Sequence, residues 1–184
     1  MLVLFNKPYN VLSQFTDDKV SDAKRQTLAD YINIKRFYAA GRLDKDSEGL
    51  LLLTDDGALQ NKIAHPKKKL EKFYWVQVEG EVTDQALQSL QQGIQLKDGK
   101  TKPAKVSRLF EPENLWQRDP PVRFRKTIPT EWLEIVIREG KNRQVRRMTA
   151  AVGNPTLRLI RHRIGPWKLG ALQPGDSRIL EEDI

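Results

Sequence analysis

A run of four leucines at residues 50–53 is the feature that most limits how this chain of 184 residues can fold. The run lies between clusters of glycine and acidic residues, in the stretch GRLDKDSEGLLLLTDDG at residues 41–57. A short, unbroken apolar run bounded by turn residues predicts a β-strand that is buried on both faces. Such a strand needs packed layers on each side, and a chain of this length can supply them.

The remaining pattern predicts an α+β fold with more strands than helices. Further strands are predicted at residues 3–5, 37–42, 72–79, 94–110 (around the turn Asp98-Gly99), 131–138 and 156–164. Helices are predicted at residues 57–65, 83–93 and 142–152, with Thr83 or Asp84 as the cap of the second and Asn142 as the cap of the third. Residues 111–130, with four prolines, are predicted to be a surface loop or an irregular hairpin. Because strands and helices do not alternate regularly, we expect a mixed or mostly antiparallel sheet.

The composition excludes several classes of protein. There is no cysteine, which excludes disulfides, thiolate zinc sites and thiol nucleophiles. His65 and His162 are far apart, so we expect no metal site, although carboxylates alone could hold magnesium. The leucine run is too short to span a membrane, and the polar N-terminus does not resemble a signal peptide. We therefore expect a cytoplasmic protein and, without a heptad pattern or an apolar interface strip, a monomer that needs no protein partner.

Positive charge is concentrated in the C-terminal half of the chain. The formal net charge is +8, and residues 1–60 carry 8 Lys+Arg against 9 Asp+Glu. Residues 138–168 instead carry 9 Lys+Arg against one acid, Glu139. This concentration is typical of a surface that binds a polyanion, most simply a nucleic acid, but a solvated basic face would have the same composition.

Asp44 is the first candidate for chemistry. It follows a predicted strand and precedes the leucine strand, in a segment that must turn, and aspartates in such turns are commonly structural. Asp46 fits that structural role. Asp44 differs because it lies two residues after Arg42, and a carboxylate beside an arginine stays ionised, which suits a nucleophile.

A second candidate is the basic segment EGKNRQVRRM at residues 139–148. On a helix, Val145 and Met148 face inward, while Arg143 and Arg147 lie four residues apart with Arg146 beside them. Three arginines so close together indicate that this segment binds an anion, although a solvated basic face remains the alternative. If the anion is RNA, one arginine turns inward to a carboxylate and the others meet phosphates.

Two predicted strands carry further candidates. In residues 72–79, Phe73 and Trp75 share one face, which we expect to pack in the core, and Tyr74 lies on the other face, where it can stack on a base. In residues 156–164, Leu159 and Arg161 share a side that is not cleanly apolar. That pattern fits either a strand bordering a polyanion groove or an edge strand protected by charge.

Taken together, the motifs resemble one family along nearly the whole chain. The matching segments, in order, are Asn6-Lys7-Pro8, GRLD at residues 41–44 with SEGLLL at residues 47–52, Lys72-Phe73-Tyr74, and GKNRQVRRM at residues 140–148. This order is similar to that of the ribosomal RNA pseudouridine synthases of the RsuA, RluB, RluE and RluF group. The glycine that usually follows NKPx in this family is replaced here by Asn10, and asparagine tolerates the left-handed backbone that glycine provides.

The resemblance implies a fold, a reaction and roles for individual residues. It implies a central mixed, mostly antiparallel sheet in two lobes with an active cleft between them, and isomerisation of a uridine without a cofactor. Asp44 matches the catalytic aspartate, which attacks C1′ of the uridine or assists departure of the base. Tyr74 matches a tyrosine that packs on the target base, and Leu159 matches an apolar wall under it. Arg146 matches the arginine that pairs with the aspartate, and Arg143 is the alternative.

The resemblance also implies a substrate and a domain organisation. The opening segment is most similar to members that modify 23S rRNA near the peptidyl-transferase region, so we expect 23S rRNA or a large-subunit assembly intermediate as the partner. We expect residues 1–184 to form a single catalytic domain without the N-terminal S4-type domain of many relatives. A non-catalytic rRNA-binding or ribosome-assembly protein remains the alternative, because the basic charge fits it equally well.

Overall fold

The computed structural model describes residues 1–18, 23–65 and 70–181. The chain divides into two compact units, the first made of Met1–Leu70 with His162–Ile184 and the second of Glu71–Arg161. The elements in chain order are β1 (Leu2–Lys7), a 3-10 helix (Leu28–Asp30), β2 (Tyr38–Ala39), β3 (Glu48–Thr54), α1 (Gly57–Ala64), β4 (Lys72–Glu79), α2 (Asp84–Gln92), β5 (Gln95–Leu96), β6 (Gly99–Lys100), β7 (Lys105–Leu109), β8 (Thr130–Ile137), α3 (Gln144–Ala151), β9 (Thr156–Ile164), β10 (Trp167–Lys168) and β11 (Ser177–Leu180).

In the first unit, the leucine strand β3 lies at the centre of the packing. It pairs with β1 in antiparallel register, with Leu4 opposite Leu52, and β1 pairs in turn with β11. Leu51 and Leu53 belong to a buried cluster with Val3 and Phe5. All four leucines at residues 50–53 have 0% exposed surface. The prediction that this strand is buried on both faces is therefore confirmed.

The second unit is built on β4, β8 and β7, which pair antiparallel in that order, with β9 bordering β4. Helices α2 and α3 cover this sheet, and their apolar residues, such as Leu90 and Met148, join one buried cluster with Val76 and Leu133. Thr83 caps α2 by accepting a hydrogen bond from the Ala86 amide, which decides between the two caps, Thr83 and Asp84, that the sequence left open. The expected α+β fold with a mostly antiparallel sheet is confirmed.

Several element boundaries differ from the sequence prediction. Strand β2 covers only Tyr38–Ala39, and β10, β11 and the 3-10 helix were not predicted. The cap of α3 is Arg143, in a left-handed conformation, and not Asn142. Strands β2, β10 and β11 and the 3-10 helix are too short for a periodic pattern to identify them. Residues 110–129 contain no helix or strand, which agrees with the predicted surface loop.

No helix among the described residues is long and apolar enough to cross a membrane.

Burial of β3 on both faces makes a specific stability prediction. We expect Leu51→Ala and Leu52→Ala, whose side chains point to opposite faces, each to lower the free energy of unfolding by about 2–5 kcal/mol. Chemical denaturation monitored by tryptophan fluorescence measures both values. Ser107→Ala, an exposed position on β7, serves as the control. A cost below about 1 kcal/mol for either leucine variant would show that one face of β3 is only lightly packed.

Candidate functional site

Asp44 lies in the first unit, in the loop between β2 and β3. The chain enters this loop through Gly41, whose φ of +91° is a conformation that favours glycine. The Asp44 carbonyl then accepts a hydrogen bond from the Ser47 amide at 3.0 Å, which closes a turn. Asp44 is half-buried, whereas Arg42 is exposed and donates from Nη2 to Oε1 of Gln14 at 3.2 Å. The loop therefore holds the carboxylate at the surface of the unit rather than extending it into solvent.

The residue before Asp44 is fixed by one buried serine hydroxyl. Oγ of Ser13 accepts a hydrogen bond from the Leu43 amide at 3.0 Å and donates to the Leu43 carbonyl at 2.7 Å. Both groups are buried, so these bonds are shielded from competing water. Ser13 thus holds both polar groups of the peptide backbone directly before Asp44.

The residue after Asp44 is fixed from the other side by the segment that follows β1. The Lys45 carbonyl accepts from the Asn10 amide at 2.8 Å and from the Lys7 ammonium at 3.4 Å. Nζ of Lys7 also donates to the carbonyls of Pro8 and Val11, each at 2.8 Å, and the Lys7 side chain has no exposed surface. Asn10 has a φ of 69°, so the expected left-handed conformation at this position is confirmed. Asp44 is therefore held at both neighbouring residues.

In the second unit, Tyr74 lies on the core face of β4. It is 8% exposed and belongs to the buried cluster that contains Val76, Val78 and Leu159. Phe73 and Trp75 are only half-buried and lie on the opposite face. The prediction that Phe73 and Trp75 face the core was wrong, because their face also carries Gln77 and Glu79 whereas the Tyr74 face continues with two valines. Whether Tyr74 stacks on a base stays a prediction.

Two cations continue the same sheet face beyond this apolar cluster. Lys72 lies two residues before Tyr74 on β4, and Arg161 lies two residues after Leu159 on β9, so each shares the face of its neighbour. Arg161 is 4% exposed. Burial and, secondarily, the charge of Arg161 lower the pKa of the Lys72 ammonium. Sequence reasoning did not single out Lys72 for charge, although its place in the KFY motif was a usable signal.

The three arginines of α3 have different environments. Arg143 is exposed at the cap position, Arg146 is half-buried, and Arg147 pairs with Asp98 of the turn between β5 and β6. Nη1 and Nη2 of Arg147 donate to the Asp98 carboxylate at 2.7 and 3.2 Å, and this hydrogen bonding lowers the pKa of Asp98. Val145 and Met148 face the core, as predicted. The sequence showed the turn at Asp98 but not its arginine partner.

The predicted site residues are divided between the two units. Asp44 and Arg42 belong to the first unit, and Tyr74, Arg143, Arg146, Arg147 and Leu159 belong to the second. The first unit carries 15 Lys+Arg against 13 Asp+Glu, whereas the second carries 17 against 11, so most of the net charge lies there. Across the described parts of the chain, no group of three or more His, Cys, Asp or Glu residues could hold a metal ion.

We predict that Ser13→Ala loosens the Asp44 loop locally. Without the hydroxyl, both polar groups of Leu43 lose a buried hydrogen bond, so amide hydrogen exchange at Leu43 should accelerate about tenfold or more. NMR-detected exchange measures this rate. Thr27→Ala is the matched control, because Thr27 caps the 3-10 helix of the same unit and its loss should lower global stability by about 1 kcal/mol. Equal acceleration at Leu43 in both variants would contradict local control by Ser13.

We further predict that Arg161→Gln raises the pKa of Lys72 only in part. The substitution removes the neighbouring positive charge, but burial, which is the larger cause of the lowered pKa, remains. NMR titration of the lysine side-chain signals measures the change, with Arg123→Gln as a control at an exposed arginine. A Lys72 pKa that is unchanged by Arg161→Gln would exclude electrostatic coupling within this pair.

Comparison with known proteins assigns the chain to a family. A family model described as RNA pseudouridylate synthase matches residues 1–151. Ribosomal large subunit pseudouridine synthase E of Xanthomonas campestris pv. campestris is 59% identical over 179 residues, which cover 97% of this chain and 95% of that protein. The Vibrio vulnificus protein of the same name is 58% identical over 175 residues, 95% of this chain and 73% of that protein.

A solved structure supports the same assignment. The crystal structure of a pseudouridylate synthase superimposes with a TM-score of 0.79 at 30% sequence identity, covering 97% of this chain and 69% of that one. The family resemblance and the pseudouridine synthase fold, with its mostly antiparallel sheet, are thereby confirmed. The chain belongs to the RNA pseudouridylate synthase family.

Proposed function

We propose that this protein isomerises one uridine of 23S rRNA, in the large ribosomal subunit near the peptidyl-transferase region, to pseudouridine. The observation that carries the proposal is the identity of 58% and 59%, over at least 95% of this chain, with relatives named ribosomal large subunit pseudouridine synthase E. The substrate is 23S rRNA or a large-subunit assembly intermediate, and the enzyme acts in the cytoplasm as a monomer. The excess positive charge of the second unit supports an RNA substrate.

In the proposed reaction, the Asp44 carboxylate attacks C1′ of the uridine. The bond from C1′ to N1 breaks, and its electron pair leaves with the uracil. The base then turns and attacks C1′ through C5, which displaces the carboxylate. Loss of the C5 proton and protonation of N1 complete the isomerisation. The proposed reaction neither adds atoms to the substrate nor changes its overall oxidation state. It therefore needs no cofactor.

The rigid loop supports the assignment of Asp44 as the nucleophile. Attack at carbon requires the oxygen to approach to about 3–3.5 Å with correct alignment, and small displacements are costly to the rate. Ser13 fixes the residue before Asp44, and Asn10 and Lys7 fix the residue after it. A carboxylate on a mobile loop would lose much of this alignment, so the hydrogen bonds on both sides act as positioning contacts.

The second unit supplies the proposed contacts to the target nucleotide. The uridine must leave its stack, which costs a few kcal/mol. Tyr74 and Leu159, which share one buried cluster, are proposed to pack against the extruded base. Arg146 is proposed to act on the Asp44 carboxylate, while Arg143 and Arg42, both exposed, bind phosphates. Arg147 can bind a phosphate only after it releases Asp98, so it contributes least to the proposed RNA binding.

We predict that Asp44→Asn abolishes pseudouridine formation while leaving RNA affinity and folding nearly unchanged. The amide keeps the shape of the side chain but is not nucleophilic. Single-turnover assays on a 23S rRNA transcript measure the product, and filter binding measures affinity. Asp46→Asn, an identical change two residues later in the same loop, should retain activity. Full activity of Asp44→Asn would remove this residue from the mechanism.

The same experiment separates the enzyme from a non-catalytic rRNA-binding protein. The positive charge favours both functions, and both predict affinity that falls with salt. A wild-type protein that binds the transcript but forms no pseudouridine, also on large-subunit assembly intermediates, would support the binding protein. Catalysis that depends on Asp44 but not on Asp46 would support the enzyme.

A further inference from the structure

The long connection between β7 and β8 presents an exposed aromatic residue on a firmly attached loop. Phe124 is 58% exposed within the sequence Arg123-Phe124-Arg125-Lys126, in a part of the second unit that has no helix or strand. Single exposed apolar side chains are common on protein surfaces. Phe124 differs from them because basic residues flank it in the sequence, and the proposed reaction at Asp44 does not use this basic and aromatic cluster.

The first part of this connection is attached to β9 by two arginines. Nη2 of Arg158 donates to the Trp116 carbonyl at 2.9 Å, and its guanidinium carbon lies 5.7 Å from the Trp116 ring centroid. Arg118 donates to the carbonyls of Pro120, Pro121 and Leu157 at 2.9, 3.2 and 3.4 Å. The contacts of Arg158 with Trp116 and of Arg118 with Leu157 join this connection to β9, and the bonds to Pro120 and Pro121 fix its own turn.

The second part is attached to β4. The Arg125 guanidinium forms an ion pair with Glu79, the last residue of β4, and the Arg125 carbonyl accepts from the Ile128 amide at 3.1 Å. Arg123 and Lys126 are exposed, and neither forms an ion pair with any described residue. The loop thus displays one aromatic ring with a cation on each side that is available for an anion.

We propose that Phe124 stacks on an unpaired RNA base other than the target uridine, with Arg123 and Lys126 contacting the flanking phosphates; this rests on the proposed function. A ring between cations fits a single strand, which offers both base faces and phosphates. Base-paired RNA offers phosphates but no unstacked face. An apolar protein partner fits less well, because the neighbours of Phe124 in the sequence are charged rather than apolar.

The position of the loop indicates that this base is not the target. Glu79, which holds Arg125, lies five residues after Tyr74 on β4. At roughly 3.3 Å per residue, these two strand positions are about 17 Å apart, and their odd separation places the two side chains on opposite faces of β4. Because the loop is attached at Glu79, the proposed contact is a second point of RNA recognition, which would add affinity and select for RNA that has an unpaired segment besides the target.

Substitution of Phe124 tests the proposal with a control from the same connection. Phe110 is 96% exposed, but its neighbours are Leu109 and Glu111 rather than cations. At fixed salt, Phe124→Ala should weaken binding of a fluorescent single-stranded oligouridylate roughly 5- to 100-fold, whereas Phe124→Trp should retain it. Phe110→Ala should change affinity less than about twofold. A fully base-paired RNA duplex of equal length should bind all four proteins equally.

Two results would overturn the contact: equal affinity of wild type and Phe124→Ala for the oligouridylate, or an equal loss in Phe110→Ala. Circular dichroism of each variant excludes unfolding as the cause of a loss. Pseudouridine formation by the wild type on 23S rRNA is measured in parallel. A wild type without this activity that still shows the difference between Phe124 and Phe110 would refute the proposed function and support the RNA contact.

Discussion

The buried ammonium of Lys7 is the interaction on which the arrangement around Asp44 depends. A lysine with no exposed surface is stable only if its charge is compensated, since the loss of hydration costs several kcal/mol. Three backbone carbonyls receive its hydrogen bonds, and they belong to Pro8, Val11 and Lys45. The charge therefore joins the end of β1 to the loop before β3. Movement of that loop away from β1 would remove the Lys45 carbonyl from the buried ammonium and break its hydrogen bond with the Asn10 amide.

The Ser13 hydroxyl completes this arrangement from the opposite side of Asp44. It accepts a hydrogen bond from the Leu43 amide and donates one to the Leu43 carbonyl. The antiparallel pairing of β1 with β3 holds the two supporting segments together. The leucine strand matters here because a strand that is buried on both faces resists displacement. Core packing, backbone hydrogen bonds and one buried charge thus act together on a single carboxylate. Positioning of this kind is what nucleophilic attack at a carbon atom requires.

Much of the fold could be predicted from local pattern, because burial imposes periodicity. The strand at Thr156–Ile164 was predicted with the observed bounds, and residue type narrowed the cap of α2 to Thr83 or Asp84, of which Thr83 is the observed one. The core-facing side of β4 was predicted wrongly. The prediction placed the aromatic rings of Phe73 and Trp75 in the core, whereas the two valines that follow Tyr74 on its face indicate that this face is the buried one. For the candidate site, the motif resemblance pointed to Asp44, whose role stays a prediction, but Ser13 could not be found. Its hydrogen bonds to Leu43 depend on tertiary structure, and a single serine has no sequence pattern. The pairing of Arg147 with Asp98 was missed for the same reason.

A map of pseudouridines in rRNA from cells with and without this protein tests the central claim most directly. Cells that lack the gene should lose pseudouridine at one position of 23S rRNA, near the peptidyl-transferase region. Expression of the wild-type chain should restore that position, and expression of Asp44→Asn at the same level should not. An unchanged map in the deletion strain, or full restoration by the asparagine variant, would contradict the account.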